Sequence, residues 1–215
     1  MARTFTETDF RKDVAKHAMI IVNDAGLHRH LSFRQPEHSW LHYFEIVTWP
    51  GALCIRGDVG TYVFSRTQDM FSFFRQPTKD GSLYINDDYW AEKLVASCCN
   101  GRHGEGVMRF DSDLFRDAVW ERYVDHVRHY MRGMPDERRA LRQALEDEVL
   151  GCAEDGEQEA RRAADAFEHD GFRLTDFWEV NCSEYTRQFM WSLYAISWGI
   201  RQYDQHHPQR SSSAA

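Results

Sequence analysis

No apolar run in this 215-residue chain approaches the ~20 residues that span a bilayer, and Met1 to Thr8 lacks the hydrophobic stretch of a secretion signal. The expectation is a cytoplasmic protein with no membrane partner. Cysteine is sparse: Cys54, Cys98, Cys99, Cys152 and Cys182 are odd in number and scattered, which makes no disulfide framework. Lysine is rare beside arginine, 4 against 22, a bias that points to a GC-rich bacterial or phage gene and carries no mechanism. Catalytic signatures are missing as well. There is no G-x-S-x-G elbow, Walker loop or dinucleotide fingerprint, and no internal repeat.

What the chain does have is the composition of a folded protein, 42% hydrophobic and 28% charged. A domain of this length buries roughly 70% of the surface its unfolded chain exposes. Aromatics reach 14% and run the whole length, which supplies either a core or an interface. The net charge of −8 is concentrated: Asp136 to Asp170 holds twelve carboxylates against five arginines, and the remainder is nearly neutral. A globally acidic protein repels nucleic acid, whereas a local acidic block attracts a basic partner.

Leu41 to Arg66 is the segment with strand character. Three runs of aromatic and β-branched residues are split by Trp49-Pro50-Gly51 and by Arg56-Gly57-Asp58-Val59-Gly60. Gly supplies positive φ for tight turns and Pro fixes φ without donating, so a three-stranded antiparallel meander is expected. Leu53 and Ile55 are placed on one face, Tyr62 and Phe64 on another. Before it, Thr6-Glu7-Thr8-Asp9 reads as a capping box, followed by Phe10, Val14, Ala18, Ile21 and Val22 at helical spacing up to Gly26. His28 to Trp40 reads as a loop. After the meander, Met70 to Phe74 predicts a short helix, Tyr89 to Cys99 another, and Val107 to Phe110 an edge strand. Asp111 or Ser112 then caps a long helix with Phe115, Val119, Tyr123, Val127 and Tyr130 on one face. Asp136 to Leu150 predicts a helix with Leu141, Leu145 and Val149 inward, and Asp155 to Phe167 a second. A helical region from Thr175 to Tyr203 packs Phe189, Leu193, Ile196 and Ile200 inward, ahead of a polar tail from His206.

Eleven histidines invite a metal reading. His38 and His42 are four apart, His28 and His30 two apart, and His126 and His129 three apart on a helix without a third ligand. Cys98, Cys99 and His103 form a trio, but vicinal cysteines fit poorly around one tetrahedral zinc. Cys99 has no local context of a nucleophile. Gly101 to Gly106 reads as a connection, and Asp58 within Arg56-Gly57-Asp58 as a turn residue.

Trp49-Pro50-Gly51, then Gly57-Asp58-x-Gly60-x-Tyr62-x-Phe64-Ser65-Arg66, then Asp69-Met70-Phe71-x-Phe73-Phe74 resemble a segment of uncharacterised bacteriophage and prophage proteins. Ile85-Asn86 and Tyr89 to Leu94 are similar to the same group, over Tyr43 to Val124 in all. The resemblance implies an origin and assigns no catalytic residue.

These readings converge on an α+β fold, a three-stranded meander covered by helices with a largely helical C-terminal half. The expected organisation is an α+β core at 1–132, an acidic helical segment at 133–175, a helical region at 176–205 packed on the core and a tail at 206–215, all within one domain. The expected function is a phage-derived, non-enzymatic interaction protein. It would inhibit a host defence or nucleic-acid-handling complex, as anti-CRISPR proteins do, through an acidic surface. Its contact carboxylates would be Glu146, Asp147, Glu148, Glu154, Asp155 and Glu157, with no cofactor, no metal and no direct nucleic-acid contact; the bland reading of the same residues is a solvated helix face laced with Glu–Arg pairs. The rival is a ligand-binding protein or metal-dependent enzyme using His28, His30, His38 and His42. A third reading is a homo-oligomer assembled through exposed aromatics.

Overall fold

The computed structural model describes residues 5–36, 40–98 and 106–207. The fold is α+β, and the chain divides into two compact units. A sheet unit is built from the stretch up to Val107 and again from Tyr185 onward; a helical unit occupies Met108–Glu184.

The sheet unit opens with α1 (Glu7–Asp13), whose Thr6 hydroxyl and Asp9 carboxylate exchange hydrogen bonds with each other's backbone as a capping box requires. Six antiparallel strands follow in simple sequential order: β1 (Ala18–Ala25), β2 (His28–Arg34), β3 (Phe44–Trp49), β4 (Ala52–Gly57), β5 (Gly60–Ser65) and β6 (Leu94–Cys98). The three strands expected between Leu41 and Arg66 are β3 to β5, joined through Pro50-Gly51 and Asp58-Val59, but the sheet has six strands rather than three. The helical spacing read into Ala18 to Val22 belongs to a strand. The polar segment His28 to Arg34 is also a strand, and so is the second half of the helix expected at Tyr89 to Cys99. Leu53 lies opposite Phe64 and Ile55 opposite Tyr62, so these four share one face, contrary to the expected split.

That face is the core. Leu31, Phe33, Phe44, Ile46, Leu53, Ile55, Tyr62 and Phe64 are buried against α1, α2 (Met70–Phe74), α3 (Asp87–Ala91) and the C-terminal helix, packed with Phe10, Phe71, Trp90, Phe189 and Ile196. Asp69 caps α2 by accepting from Phe71 N–H, and its carboxylate clasps the Arg29 guanidinium at 2.8 and 3.2 Å. The opposite face alternates as strand geometry dictates: His28, His30, Ser32 and Arg34 on β2, Glu45, Val47 and Trp49 on β3, Cys54 and Arg56 on β4, Thr61 and Val63 on β5. None of these joins the hydrophobic core.

The helical unit contains β7 (Met108–Phe110), α4 (Ser112–Tyr130), α5 (Pro135–Glu148), a 3₁₀ turn at Leu150–Glu154, α6 (Glu157–Ala166) and the hairpin β8 (Glu168–His169) and β9 (Phe172–Arg173). Asp170 and Gly171 turn that hairpin with φ of 47° and 81°, the paired positive values of a type I′ turn that Asp-Gly favours. β7 pairs with β10 (Ser183–Tyr185) as a separate two-stranded sheet, so it is not an edge of the six-stranded one. The unit has its own core of Phe115, Val119, Leu141, Leu145, Val149, Leu150, Ala160, Ala164, Phe172 and Phe177. Of the stripe expected along α4, Phe115 and Val119 are buried and Tyr130 is 73% exposed. The last helix, α7 (Arg187–His206), returns to the sheet unit and begins twelve residues later than the expected helical start at Thr175. Phe189, Leu193, Ile196 and Ile200 all point into the core. Among the described residues no helix is long and apolar enough to cross a membrane.

Candidate functional site

In the helical unit, burial of Leu141, Leu145 and Val149 at four-residue spacing turns the rest of α5 outward. Residues 108–184 carry twenty carboxylates against eleven arginines, a net −9, leaving the remainder of the chain at +1. The six expected contact carboxylates are all at the surface, Glu146 partly covered and the other five exposed. Three are held by arginines: Glu146 by Arg142 at 2.9 Å, Glu154 by Arg116 at 3.1 Å and Glu157 by Arg161 at 2.8 Å. Asp147 accepts from Gln143 at 2.9 Å. Glu148 and Asp155 have no ion-pair partner among the described residues. The surface is therefore acidic but partly neutralised in place, and Glu148, Asp155 and Asp147 are its most available anions.

The same unit holds an open groove of about 980 Å³ where α4 ends, α5 begins and the β8–β9 hairpin crosses. Tyr130, Met131, Met134 and Phe172 give it apolar surface, and its charged lining mixes the carboxylates Asp125, Glu137 and Asp170 with Arg122 and Arg173. His126 packs its ring on Phe172 at 4.7 Å, and burial depresses its pKa, so it is neutral near pH 7. His129 Nδ1 lies 2.7 Å from the Asp125 carbonyl, a contact within its own helix.

The histidines of the rival reading take separate partners. His30 Nε2 lies 3.3 Å from Glu45 Oε1, an ion-pair distance without hydrogen-bond alignment. His42 turns through a positive φ of 56°, stacks on Trp191 and places Nε2 3.8 Å from Asp13. His28 is exposed on β2, and His38 lies outside the described residues, as do Cys99 and His103. No group of three or more His, Cys, Asp or Glu side chains is arranged to hold a metal among the described residues.

No protein-family profile, curated protein or solved structure matches this chain.

One polar network escaped the sequence reading. Glu45, on the face of the sheet away from the core, accepts from Tyr43 Oη at 2.5 Å, lies near His30 and sits 3.5 Å from Arg56 Nε. Burial alone pushes the Glu45 carboxyl up, but the Tyr43 hydroxyl, His30 and Arg56 together hold it below its ordinary value. Burial and donation to that carboxylate raise Tyr43 in turn. Cys54 occupies the same face, and burial raises its thiol, so it is protonated and unreactive near neutral pH. Period-two alternation on β2, β3 and β4 would have gathered these residues, had β2 been read as a strand. Beside them Trp40, Tyr43, Arg56, Gly57, Asp58 and Thr61 line a cleft of about 280 Å³.

Proposed function

We propose that this protein is a phage-derived, non-enzymatic interaction protein whose helical unit docks on a basic surface of a host nucleic-acid-handling complex. The segregation of charge carries the reading: −9 within residues 108–184 against +1 for everything else. Such a field steers a basic partner and sets register, but exposed charges are screened by salt within about 10 Å at 0.1 M and give little affinity alone. The groove lined in part by Tyr130, Met131, Met134 and Phe172 supplies the apolar area that affinity needs. The fitting partner segment is therefore both basic and amphipathic.

The test is capture from a bacterial lysate at low salt, elution by a salt gradient, and re-binding of the purified partner. Asp147→Lys, Glu148→Lys, Glu154→Lys and Asp155→Lys combined should flatten the salt dependence and weaken binding at least tenfold at 0.1 M salt. The melting curve should hardly move, since isolated surface changes stay within about ±0.5 kcal/mol. Met134→Glu should weaken binding at every salt concentration. A partner that binds the charge-reversed protein as tightly as the wild type, with the same salt slope, would end this reading.

A further inference from the structure

The small cleft beside Glu45 lies in the sheet unit, and its wall chemistry is specific. It carries one cation and one anion that do not neutralise each other. Arg56 turns its Nε toward Glu45, which leaves the terminal Nη fork of a 61% exposed side chain facing solvent. Asp58 uses Oδ2 to accept the His42 N–H at 3.0 Å, which leaves Oδ1 open. Between them stands Gly57, where a side chain has no room: a Cβ would lie 2.1 Å from the Tyr43 carbonyl oxygen. The third element is aromatic. Trp40 packs edge-to-face on Tyr43, centroids 5.1 Å apart at 78°, and remains 73% exposed, so one indole face is open. Tyr43 is itself fixed by its bond to Glu45. Thr61 adds a hydroxyl.

A cleft with separated opposite charges favours a ligand that is itself dipolar, because a simple anion meets Asp58 and a simple cation meets Arg56. Its size, about 280 Å³, sits at the lower limit of small-molecule sites and excludes large cofactors. We propose that it binds a free α-amino acid with an aromatic side chain. The ligand carboxylate takes the bidentate fork of Arg56, and the ammonium donates to Asp58 Oδ1 and Thr61 Oγ1. The ring stacks on Trp40. Glu45 is the positioning residue that holds Arg56 and Tyr43. This site is independent of the acidic surface, and its failure would leave that reading untouched.

Calorimetric titration of the full chain with L-phenylalanine tests the assignment. Three truncated probes remove one contact each: L-alanine lacks the ring, phenethylamine the carboxylate and 3-phenylpropionate the ammonium. Each should bind at least about tenfold more weakly than L-phenylalanine, the loss expected for a charge-assisted hydrogen bond or an aromatic stack. Arg56→Ala and Trp40→Ala, both at exposed positions, should cost a similar factor; Trp40→Ala should leave the melting temperature unchanged, while Arg56→Ala should lower it slightly because Glu45 loses a neighbouring cation. Arg56→Lys should recover only part of the affinity, since an ammonium cannot grip a carboxylate bidentately. No binding of L-phenylalanine, L-tyrosine or L-tryptophan at millimolar concentration would overturn the proposal. So would binding of phenethylamine or 3-phenylpropionate equal to that of the zwitterion, or unchanged affinity in Trp40→Ala.

Discussion

Glu45 is the residue whose ionisation couples most of its neighbours. Its side chain is 14% exposed, yet it keeps its charge because the Tyr43 hydroxyl donates to it and His30 and Arg56 lie at 3.3 and 3.5 Å. A folded-state pKa below the unfolded value means the native protein holds the proton more weakly than the unfolded chain. The stabilisation is fully present above the unfolded carboxyl pKa of about 4.3 and disappears as pH falls through the lower folded value. Asp69, clasped by Arg29, is lowered as well and contributes with the same sign, so the comparison has to be differential. Glu45→Gln should be less stable than wild type at pH 7, and the gap should close as pH drops below about 4. Thermal melts at pH 7 and pH 3 check this. A gap that stays constant across that range would mean Glu45 is not held ionised by its neighbours.

At the scale of elements, the seating of α7 on the sheet turns on Gly199. A Cβ there would lie 2.6 Å from Ile46 Cδ1 and 3.1 Å from the Phe33 ring. Ile46 and Phe33 are both fully buried, and Phe33 stacks on Phe44 at 4.5 Å, so neither has space to retreat. Alanine would gain about 1 kcal/mol over glycine in helix propensity, but overpacking a filled core costs about 1–3 kcal/mol. Gly199→Ala should therefore destabilise by up to about 2 kcal/mol despite its better propensity. Ile46→Val removes the clashing methyl, so the double variant should be more stable than the sum of the single effects predicts. A stabilised Gly199→Ala protein in denaturant unfolding would show that the helix does not approach this closely.

Elements marked by local signals were legible in the sequence, and elements defined by tertiary burial were not. Cap chemistry located the starts of α1 and α4, the Met-Phe run located α2, and Pro50-Gly51 and the glycines at 57 and 60 located the turns of β3 to β5, because those signals are local. β1 was misread because Phe10 and Val14 on and just after a true helix continue by chance into Ala18, Ile21 and Val22 of a strand. β2 was misread because only one of its faces is in the core. Its outward side chains His28, His30, Ser32 and Arg34 give it a loop's polarity, while Leu31 and Phe33 on the other face are fully buried. The carboxylates of α5 were visible in composition; the Tyr43, Glu45 and Arg56 network was not, since it exists only once β3 and β4 are in register.

At the scale of the whole molecule, the helical unit is an insertion. The chain leaves the sheet unit at Val107 and re-enters it at Tyr185, and Thr186 N–H donates to the Val107 carbonyl at 2.9 Å, so the points of departure and return are adjacent. The two hydrophobic cores share no residue: every buried member of the sheet core lies outside 108–184, and every buried member of the helical core lies within it. Adjacent ends and a self-contained core are what domain insertion requires, and a connection of about 4–6 residues spans such a gap. Replacing 108–184 with a short Gly-Ser linker should leave a folded sheet unit with a single cooperative melt. Its net charge should rise from −8 to about +1, since the excised segment holds −9. The shortened protein should lose salt-sensitive capture of a basic partner and retain the affinity for L-phenylalanine, which separates the two proposed activities by unit. A chain that lacks a cooperative transition after excision would show that the sheet core, although complete in its residues, depends on the insertion to fold.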